Sequence, residues 1–257
     1  MKILVCMKAV PSTGQVQVDG QFKLMRDGAK LQWNIADEAA LEAALQLKKP
    51  EDSVTVLSMG PEKLELPTRE LLARGADRAV LVRDSAFAGS DTAATAKTIS
   101  RACEHLGGFD LILCGRRAID GETGQVPGLL AAALGIPCYT NAEHLESTGG
   151  TLRIHRRLEN GIQYLDVPFP VCISVCEYTY TLRLPGITGM RRAKDKIIER
   201  LNAESLCIDR LQCGLNGSLT RLIAMDSKCP GLRKGPKETD VENGVQGALT
   251  ILQEVVG

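Results

Sequence analysis

Apolar runs of strand length alternate with stretches of helical periodicity along the first half of the chain. We predict strands at residues 2–8, 54–60, 76–84 and 111–114, each bounded by turn-forming residues. Between them, apolar residues recur at helical spacing, which predicts helices over 33–49, 61–75 and 90–108 and in the stretch that begins at Gly128. This alternation predicts an α/β fold with a mainly parallel sheet and helices on both faces.

The pattern changes after the fourth helix. Residues 135–137 introduce another apolar strand, and residues 151–160 and 161–175 are predicted to form an antiparallel pair. Asn160-Gly161 joins the two, and this dipeptide is the strongest short hairpin signal. The sheet is therefore expected to carry an antiparallel hairpin.

One connection is rich in glycine and stands where a ligand would be expected. The strand 111–114 ends at Gly115, and the following segment contains Gly121, Gly124 and Gly128 before the helix. Such a loop leaves backbone N–H groups free at a positive helix terminus, where phosphate can bind. It is neither a GxGxxG fingerprint nor a Walker A loop. From spacing alone, a phosphate cradle and a plain βα turn are equally good interpretations.

The amino-acid composition argues against several classes of partner. The 257 residues carry 31 Lys plus Arg and 31 Asp plus Glu, so no global charge favours nucleic acid or a membrane surface. No run is apolar enough to span a bilayer and no secretory leader pattern precedes the first strand, so we expect a cytoplasmic protein.

Nine cysteines raise the question of metal or redox chemistry. No CxxC pair occurs and only three histidines are present, so we do not expect a metal site. Cys6, Cys114 and Cys172 lie in apolar runs, where a thiol acts as a small buried hydrophobe. Cys172 and Cys176 are predicted to face the same side of one strand and to come within contact.

The string GRRAIDGETGQVPGLLAAALGIP resembles the adenine-nucleotide loop of the electron transfer flavoprotein β subunit family. Its AID-G-[DE]-T-x-QV portion is most similar to that of the members that carry a second FAD and bifurcate electrons. The resemblance is strong over residues 1–137, moderate to about 196 and weak beyond. It implies a Rossmann-like, doubly wound sheet of the adenine-nucleotide-hydrolase type in a nucleotide-binding domain, residues 1–196.

The resemblance also assigns the cofactor-binding residues. Those that would meet the adenosine moiety lie in three places: Ala9, then Asn34, Ile35, Ala36 and Asp37, then Met59. Those that would hold the phosphates form one continuous run: Asp120, Gly121, Glu122, Thr123, Gly124, Gln125, Val126, Pro127, Gly128, Leu129, Leu130 and Ala131. The carboxylates of Asp120 and Glu122 would repel phosphate, so we expect them to orient the loop. Alternative readings stay open: Ala9 as a turn residue, Asn34 as a helix N-cap and Met59 as core filler.

Two further segments are assigned by resemblance. Residues 183–196 have many glycines and little periodicity, which predicts a surface loop, and in the family this recognition loop docks a dehydrogenase through one aliphatic anchor. Ungapped alignment puts Ile187 at the anchor, the alternative being that Ile187 packs inward. Residues 197–257 would be a C-terminal arm that contacts the α subunit.

The resemblance implies the β subunit of a heterodimeric electron transfer flavoprotein. It would bind FAD and relay electrons from an acyl-CoA-type or other flavin dehydrogenase through the FAD of an α subunit. The sequence contains no recognisable acid, base and nucleophile set, as expected of an electron carrier rather than a stand-alone enzyme. The first alternative is an AMP-binding, non-bifurcating subunit whose nucleotide is structural. The second is a flavin-free nucleotide-binding protein of the same fold.

Overall fold

A computed structural model describes residues 1–12, 17–18, 24–25, 31–221 and 240–256. The chain divides into two compact units, Met1–Arg221 and Leu222–Gly257. The first unit holds all the strands of the described residues and most of the helices. Its sheet therefore determines where any site can form.

The four strand–helix pairs that the hydrophobic pattern predicts before residue 135 are all present. The strands are β1 (Lys2–Cys6), β2 (Ala9–Pro11), β3 (Gln17–Val18), β4 (Leu24–Met25), β5 (Leu31–Trp33), β6 (Ser53–Met59), β7 (Arg78–Val82), β8 (Leu111–Gly115), β9 (Cys138–Thr148), β10 (Thr151–Leu158), β11 (Gly161–Val167), β12 (Val171–Val175) and β13 (Ile198–Leu201). The helices are α1 (Ile35–Leu47), α2 (Glu65–Arg74), α3 (Thr92–His105), α4 (Val126–Leu134), α5 (Ile187–Asp195) and α6 (Gly214–Gly217).

Nine of these strands form one sheet in the order β11-β10-β9-β12-β8-β1-β6-β7-β13. The strands from β9 across to β13 pair in parallel, and β9, β10 and β11 pair antiparallel. The chain builds outward from β1 through β6 to β7, then returns to place β8 on the other side of β1. The direction of winding therefore reverses between β1 and β8, and in open α/β sheets ligands bind at such a point.

Helices cover both faces of the sheet, as predicted. On one face, Leu41 of α1 and Leu71 of α2 belong to a buried cluster with alternate residues of the strands. On the other face, Ile99 of α3 and Leu130 of α4 belong to a second cluster. Asp91 caps α3 by accepting the N–H of Ala94 at 2.9 Å. The predicted doubly wound, mainly parallel α/β fold is confirmed.

The antiparallel hairpin is confirmed, but its second strand is shorter than predicted. Leu158 pairs with Gly161 across the turn, and the pairing continues to Leu152 and Val167. The segment 161–175 then breaks at Pro168 and Pro170, which have no N–H to donate to a ladder. Its remainder becomes β12, which lies between β8 and β9 in the sheet. The prediction of one strand over 161–175 was therefore wrong.

Residues 183–196 were predicted as a loop, and that prediction was wrong because α5 occupies Ile187–Asp195. One of the glycines that argued against a regular element, Gly189, serves the packing of α5. A Cβ built on Gly189 would lie 2.1 Å from the carbonyl oxygen of Ala73 in α2. Glycine therefore allows the two helix backbones to approach closely.

The first unit extends beyond residue 196. Strand β13 pairs in parallel with β7, and Thr220 donates its N–H and its hydroxyl to Asp91 at 2.9 and 3.0 Å. Residues 222–239 of the proposed arm lie outside the described residues. In the second unit, the structure describes helix α7 (Val241–Val256).

Replacing Gly189 with alanine should destabilise the first unit, because the added methyl group meets backbone that cannot move aside. We expect the free energy of unfolding to fall by about 1–3 kcal/mol, the usual cost of overpacking. Chemical denaturation measures it. Gly186→Ala is the matched control, since a Cβ there meets nothing within 4 Å. Equal stability of the two variants would contradict the packing role of Gly189.

Candidate functional site: the strand ends around Asp37

Asp37, in the first turn of α1, joins the ends of the two strands that flank the reversal point. Its side chain is buried, with the residue 6% exposed. One carboxyl oxygen accepts the N–H of Lys8, just past β1, at 2.7 Å. The other accepts the N–H of Gly115, the last residue of β8, at 2.9 Å. Both loops that leave the sheet here are therefore fixed to the start of α1.

Gly115 makes this approach possible. A Cβ at that position would lie 2.3 Å from the Asp37 carboxyl oxygen and 2.8 Å from the backbone of Ala36. Any larger residue would push the start of α1 away from β8. The sequence marked Gly115 only as the end of a strand, so its packing role is visible in the structure alone.

Asn34 connects α1 to the loop between β8 and α4, residues 116–125, hereafter the β8–α4 loop. It is fully buried. Its amide nitrogen donates to the carbonyl of Arg117 at 3.0 Å, and its amide oxygen accepts the N–H of Ile119 at 3.2 Å. Asn34 stands at the N-cap position, but its side chain makes no capping hydrogen bond. The interpretation of Asn34 as a side-chain cap was wrong because both ends of the amide bind the loop.

The remaining residues predicted near adenosine lie at the same edge of the sheet. Ala9, in β2, pairs with Trp33 directly before Asn34. Ala36 is 1% exposed beneath Gly115, and Ile35 is partly buried. Met59 ends β6, the neighbour of β1, and packs partly buried against the cluster on the α3 and α4 side. The structure therefore brings these predicted residues to the carboxyl ends of β1, β6 and β8.

The acidic residues of the β8–α4 loop are engaged with cations of the protein. Asp120 forms an ion pair with the ammonium group of Lys8 at 2.6 Å. Glu122 has a φ of 51°, donates its N–H to Ala118 at 2.8 Å and lies 3.8 Å from the guanidinium of Arg117. Both carboxylates are thus held by basic side chains of the protein, and their role in orienting the loop stays a prediction. The sequence did not single out Lys8 or Arg117.

Three glycines lie in the β8–α4 loop and the first turn of α4, and they differ in why glycine is needed there. Gly124 has a φ of 63° and therefore needs glycine for its backbone conformation. Gly121 and Gly128 have no such requirement, and a Cβ at either would meet nothing within 4 Å in this chain. Residues 121–125 are exposed, Thr123 among them. The open surroundings of Gly121 and Gly128 leave room for a group that approaches the backbone closely.

Helix α4 begins directly after this open stretch. The first turn of α4 has few free amide donors, because Pro127 has no N–H and Leu129 donates to the carbonyl of Gln125 at 3.0 Å. The N–H groups of Val126 and Gly128 are therefore the donors that point outward from this turn. The Gln125 side chain accepts the Thr92 hydroxyl at 2.9 Å, a contact that the sequence did not suggest. Leu129 is 38% exposed.

Three members of the predicted phosphate run lie in the core. Pro127 is buried, Leu130 is fully buried and Ala131 is 1% exposed. Their side chains hold α4 on the sheet. Loop and helix terminus together thus present backbone donors at a positive helix end, over a well-packed base.

Two adjacent arginines begin the β8–α4 loop. Arg116 makes two hydrogen bonds to Glu177, at 3.0 and 2.5 Å, and Arg117 lies 3.8 Å from the same carboxylate. The hydrogen bond from Arg116 holds the pKa of Glu177 below its ordinary value despite partial burial. Glu177 follows β12, so this cluster fixes the loop to a third strand.

Ile187, the predicted anchor, lies away from these loops at the start of α5. It is 70% exposed, so the interpretation that it packs inward was wrong. Leu184 is 83% exposed just before it, and Met190, one turn later in α5, is 49% exposed. Arg191, Arg192 and Lys194 of the same helix are exposed as well. An apolar patch with a basic border therefore faces outward from α5.

The cysteine pair predicted from sequence was wrong. Cys172 contacts Cys114 and Cys138 on the two neighbouring strands. Cys176 follows β12, and its N–H donates to Ala142 at 2.8 Å. Cys229 lies outside the described residues, in which no group of three or more His, Cys, Asp or Glu side chains is placed to hold a metal ion.

Asp37→Asn tests how this carboxyl is held. Burial raises the pKa of Asp37 to about 7, although the N–H groups of Lys8 and Gly115 favour the charged form. The amide would direct an NH₂ at one of these backbone donors, so we expect the variant to be less stable at pH 4 by about 1–3 kcal/mol. Unfolding of both proteins by denaturant across pH 4–8 measures the difference.

The sign of the pH dependence follows from the raised pKa. The folded protein binds the Asp37 proton more tightly than the unfolded chain, so the wild type loses stability as the pH rises from about 4 to about 7. The amide of the variant does not titrate, so the difference in stability between the wild type and Asp37→Asn should shrink by up to about 1.36 kcal/mol per pH unit. A difference that grows with pH would contradict burial as the dominant effect on the pKa of Asp37. Glu51→Gln, at an exposed position, is the control.

Comparison with known proteins gives the same family as the resemblance of the β8–α4 loop. The family model described as the electron transfer flavoprotein domain matches residues 21–206. The electron transfer flavoprotein subunit beta of Thermoanaerobacterium thermosaccharolyticum is 41% identical over 227 residues, 87% of each chain. That of Megasphaera elsdenii is 39% identical over 258 residues, 97% of this chain and 95% of the relative. The caffeyl-CoA reductase-Etf complex subunit CarD of Acetobacterium woodii is 36% identical over 225 residues, 86% of each chain.

These relatives match 86–97% of the chain, and two of the three are named electron transfer flavoprotein subunit beta. In the part of the chain that the structure describes, no helix is long and apolar enough to cross a membrane. The chain belongs to the electron transfer flavoprotein family, as a β subunit that the family pairs with an α subunit and associates with a flavin or related nucleotide.

Proposed function

We propose that this β subunit binds FAD at the carboxyl ends of β1, β6 and β8 and relays electrons within a heterodimer. The observation that carries the proposal is the open space at Gly121 and Gly128, beside the first turn of α4. Glycine in a helix costs stability relative to other residues, so its presence at Gly128 needs a reason. A diphosphate against the backbone supplies that reason.

Each part of the site would have a separate task. The amides of Val126 and Gly128, with the side chains of Thr123 and Gln125, would hold the diphosphate. Asn34 and Asp37 have their side-chain oxygens and nitrogens engaged by the protein, so they would position the loops around adenosine. Ala9, Ile35 and Met59 would border the adenosine. The bound flavin itself supplies the electron transfer.

The choice of FAD over AMP rests on the amino-acid sequence around the β8–α4 loop. Its IDGET-x-QV string resembles that of members with a second flavin. With a second flavin, the subunit would take part in electron bifurcation. AMP would bind the same adenosine and phosphate groups and is the alternative, with a structural role. A flavin-free protein of this fold has less support, since the relatives are named electron transfer flavoprotein subunits.

We further propose that α5 docks a flavin dehydrogenase through Ile187. An exposed aliphatic side chain on a rigid helix, bordered by arginines and a lysine, suits a partner with an apolar pocket and an acidic rim. One relative is named as a subunit of a caffeyl-CoA reductase complex, which favours a partner that acts on acyl-CoA-type substrates. Helix α7 exposes Val245 and Leu249 one turn apart and would belong to the arm on the α subunit.

Gly128→Val tests the phosphate cradle without changing the fold. Valine is a better helix former than glycine, and the side chain enters open space, so the free energy of unfolding should not fall. The side chain would occupy the place of the diphosphate, so we expect at least a tenfold loss of nucleotide retained through purification. Ala132→Val, exposed on the same helix, is the matched control. Unchanged nucleotide content in Gly128→Val would refute the cradle.

Ile187→Asp tests the docking surface. It should lower the rate of reduction by the dehydrogenase at least tenfold, because an apolar anchor becomes a charge, while the nucleotide content stays at the wild-type level. Stopped-flow reduction of the heterodimer measures the rate. Ile197→Asp is the control, since Ile197 is 89% exposed and follows α5. Equal rates for the two variants would mean that Ile187 is not the anchor.

A further inference from the structure

Four cysteines form a row across four neighbouring strands on one face of the sheet. Their order, hereafter the thiol row, is Cys138 in β9, Cys172 in β12, Cys114 in β8 and Cys6 in β1. Cys172 pairs in register with Cys138, and all four residues lie in or against one buried cluster. The sequence predicted buried thiols at three of these positions but not their alignment, because strand order is not visible in the spacing.

The two ends of the thiol row differ in exposure. Cys172 is fully buried, Cys114 is 4% exposed and Cys6 is 9% exposed, whereas Cys138 is only partly buried. The hydrogen bond from Cys172 lowers the pKa of Cys138 below the ordinary thiol value. Hydrogen bonding and burial raise the pKa of Cys6 and of Cys114 well above it. Cys138 is thus the member that both meets solvent and gains thiolate character.

The thiol row also touches α4. The sulfur of Cys172 lies 3.6 Å from the carbonyl oxygen of Pro127, in the first turn of that helix. The Cys172 thiol donates its proton to this carbonyl. A change in bonding at Cys172 must alter its contact with the start of α4.

We propose that Cys138 and Cys172 are a site of reversible oxidation by a peroxide, closing an intrachain disulfide that loosens the start of α4. The Cys138 thiolate attacks hydrogen peroxide, forms a sulfenic acid and releases hydroxide, which takes up a proton to become water. The Cys172 thiol then attacks the sulfenic sulfur, and a second water leaves with its proton. Two thiols and one peroxide give one disulfide and two waters.

The position of the pair permits this bond. In-register residues on adjacent strands stand about 4.8 Å apart, inside the range of about 4.4–6.8 Å that disulfides span between Cα atoms. Cys172 would rotate toward Cys138 and lose both its proton and its contact with Pro127. A loosened α4 would hold nucleotide less firmly, and this consequence rests on the proposed function. The disulfide and the loosening of α4 do not depend on the proposed function.

The test is peptide mapping of the full-length chain after hydrogen peroxide treatment and alkylation of the remaining thiols. Trypsin places Cys138 in the peptide 118–153 and places Cys172 with Cys176 in the peptide 158–183, so Cys176→Ser is used as the background. We expect a Cys138–Cys172 crosslink that dithiothreitol reverses. Cys207→Ser, at an exposed position on another part of the chain, should give the same crosslink. Over-oxidised Cys138 without a crosslink, or a Cys114–Cys172 crosslink, would overturn the proposal.

Amide hydrogen exchange of the same samples tests the link to α4. Oxidation should speed exchange in residues 126–134 at least tenfold and leave α3 unchanged, and Cys138→Ser should abolish the response. A crosslink with unaltered exchange in α4 would refute the coupling. Neither readout involves nucleotide, so failure of the proposed function, seen as no nucleotide in the untreated protein, is distinguished from failure here.

Discussion

The two hydrogen bonds that Asp37 accepts, from Lys8 and Gly115, are the interaction on which the site depends. They fix the exits of β1 and β8 at the point where the winding of the sheet reverses, and Asn34 then fixes the loop that follows β8. The arrangement needs a buried carboxylate, which is costly, and a glycine that nothing larger can replace. A fold that needed only stability would replace this contact with apolar packing. We infer that the contact serves the shape of the loop.

On our proposal, the first unit recognises the nucleotide and the partner protein at two different helices. The Asp37 and Asn34 side chains use their polar atoms on the protein itself, so nucleotide recognition on our proposal passes to backbone amides at α4. Partner recognition is assigned to α5, which packs on α2 through Gly189 and turns Ile187 outward. Both surfaces are presented by helices that are fixed by packing, α4 through Leu130 and Ala131 and α5 through Gly189.

Much of the fold follows from local pattern. The period of the apolar residues predicted the first four βα units, and Asn160-Gly161 predicted the hairpin. The failures arose where tertiary contacts override local preference. Gly189 looked like a helix breaker and instead allows close packing of α5, and Asn34 looked like a cap and instead binds a loop 83 and 85 residues away. The alignment of the thiol row and the ion pair of Lys8 with Asp120 depend on strand order, which no local pattern contains.

The most direct test of the account is to count the nucleotides released from the chain after co-purification with its α subunit. The complex is denatured, and FAD and AMP are separated and quantified per heterodimer by chromatography. The account predicts two FAD, one of them held by the loop between β8 and α4. One FAD together with one AMP would keep the cradle but contradict the assignment of a second flavin. One FAD and no other adenine nucleotide would contradict the central claim, that the strand ends around Asp37 shape a nucleotide site.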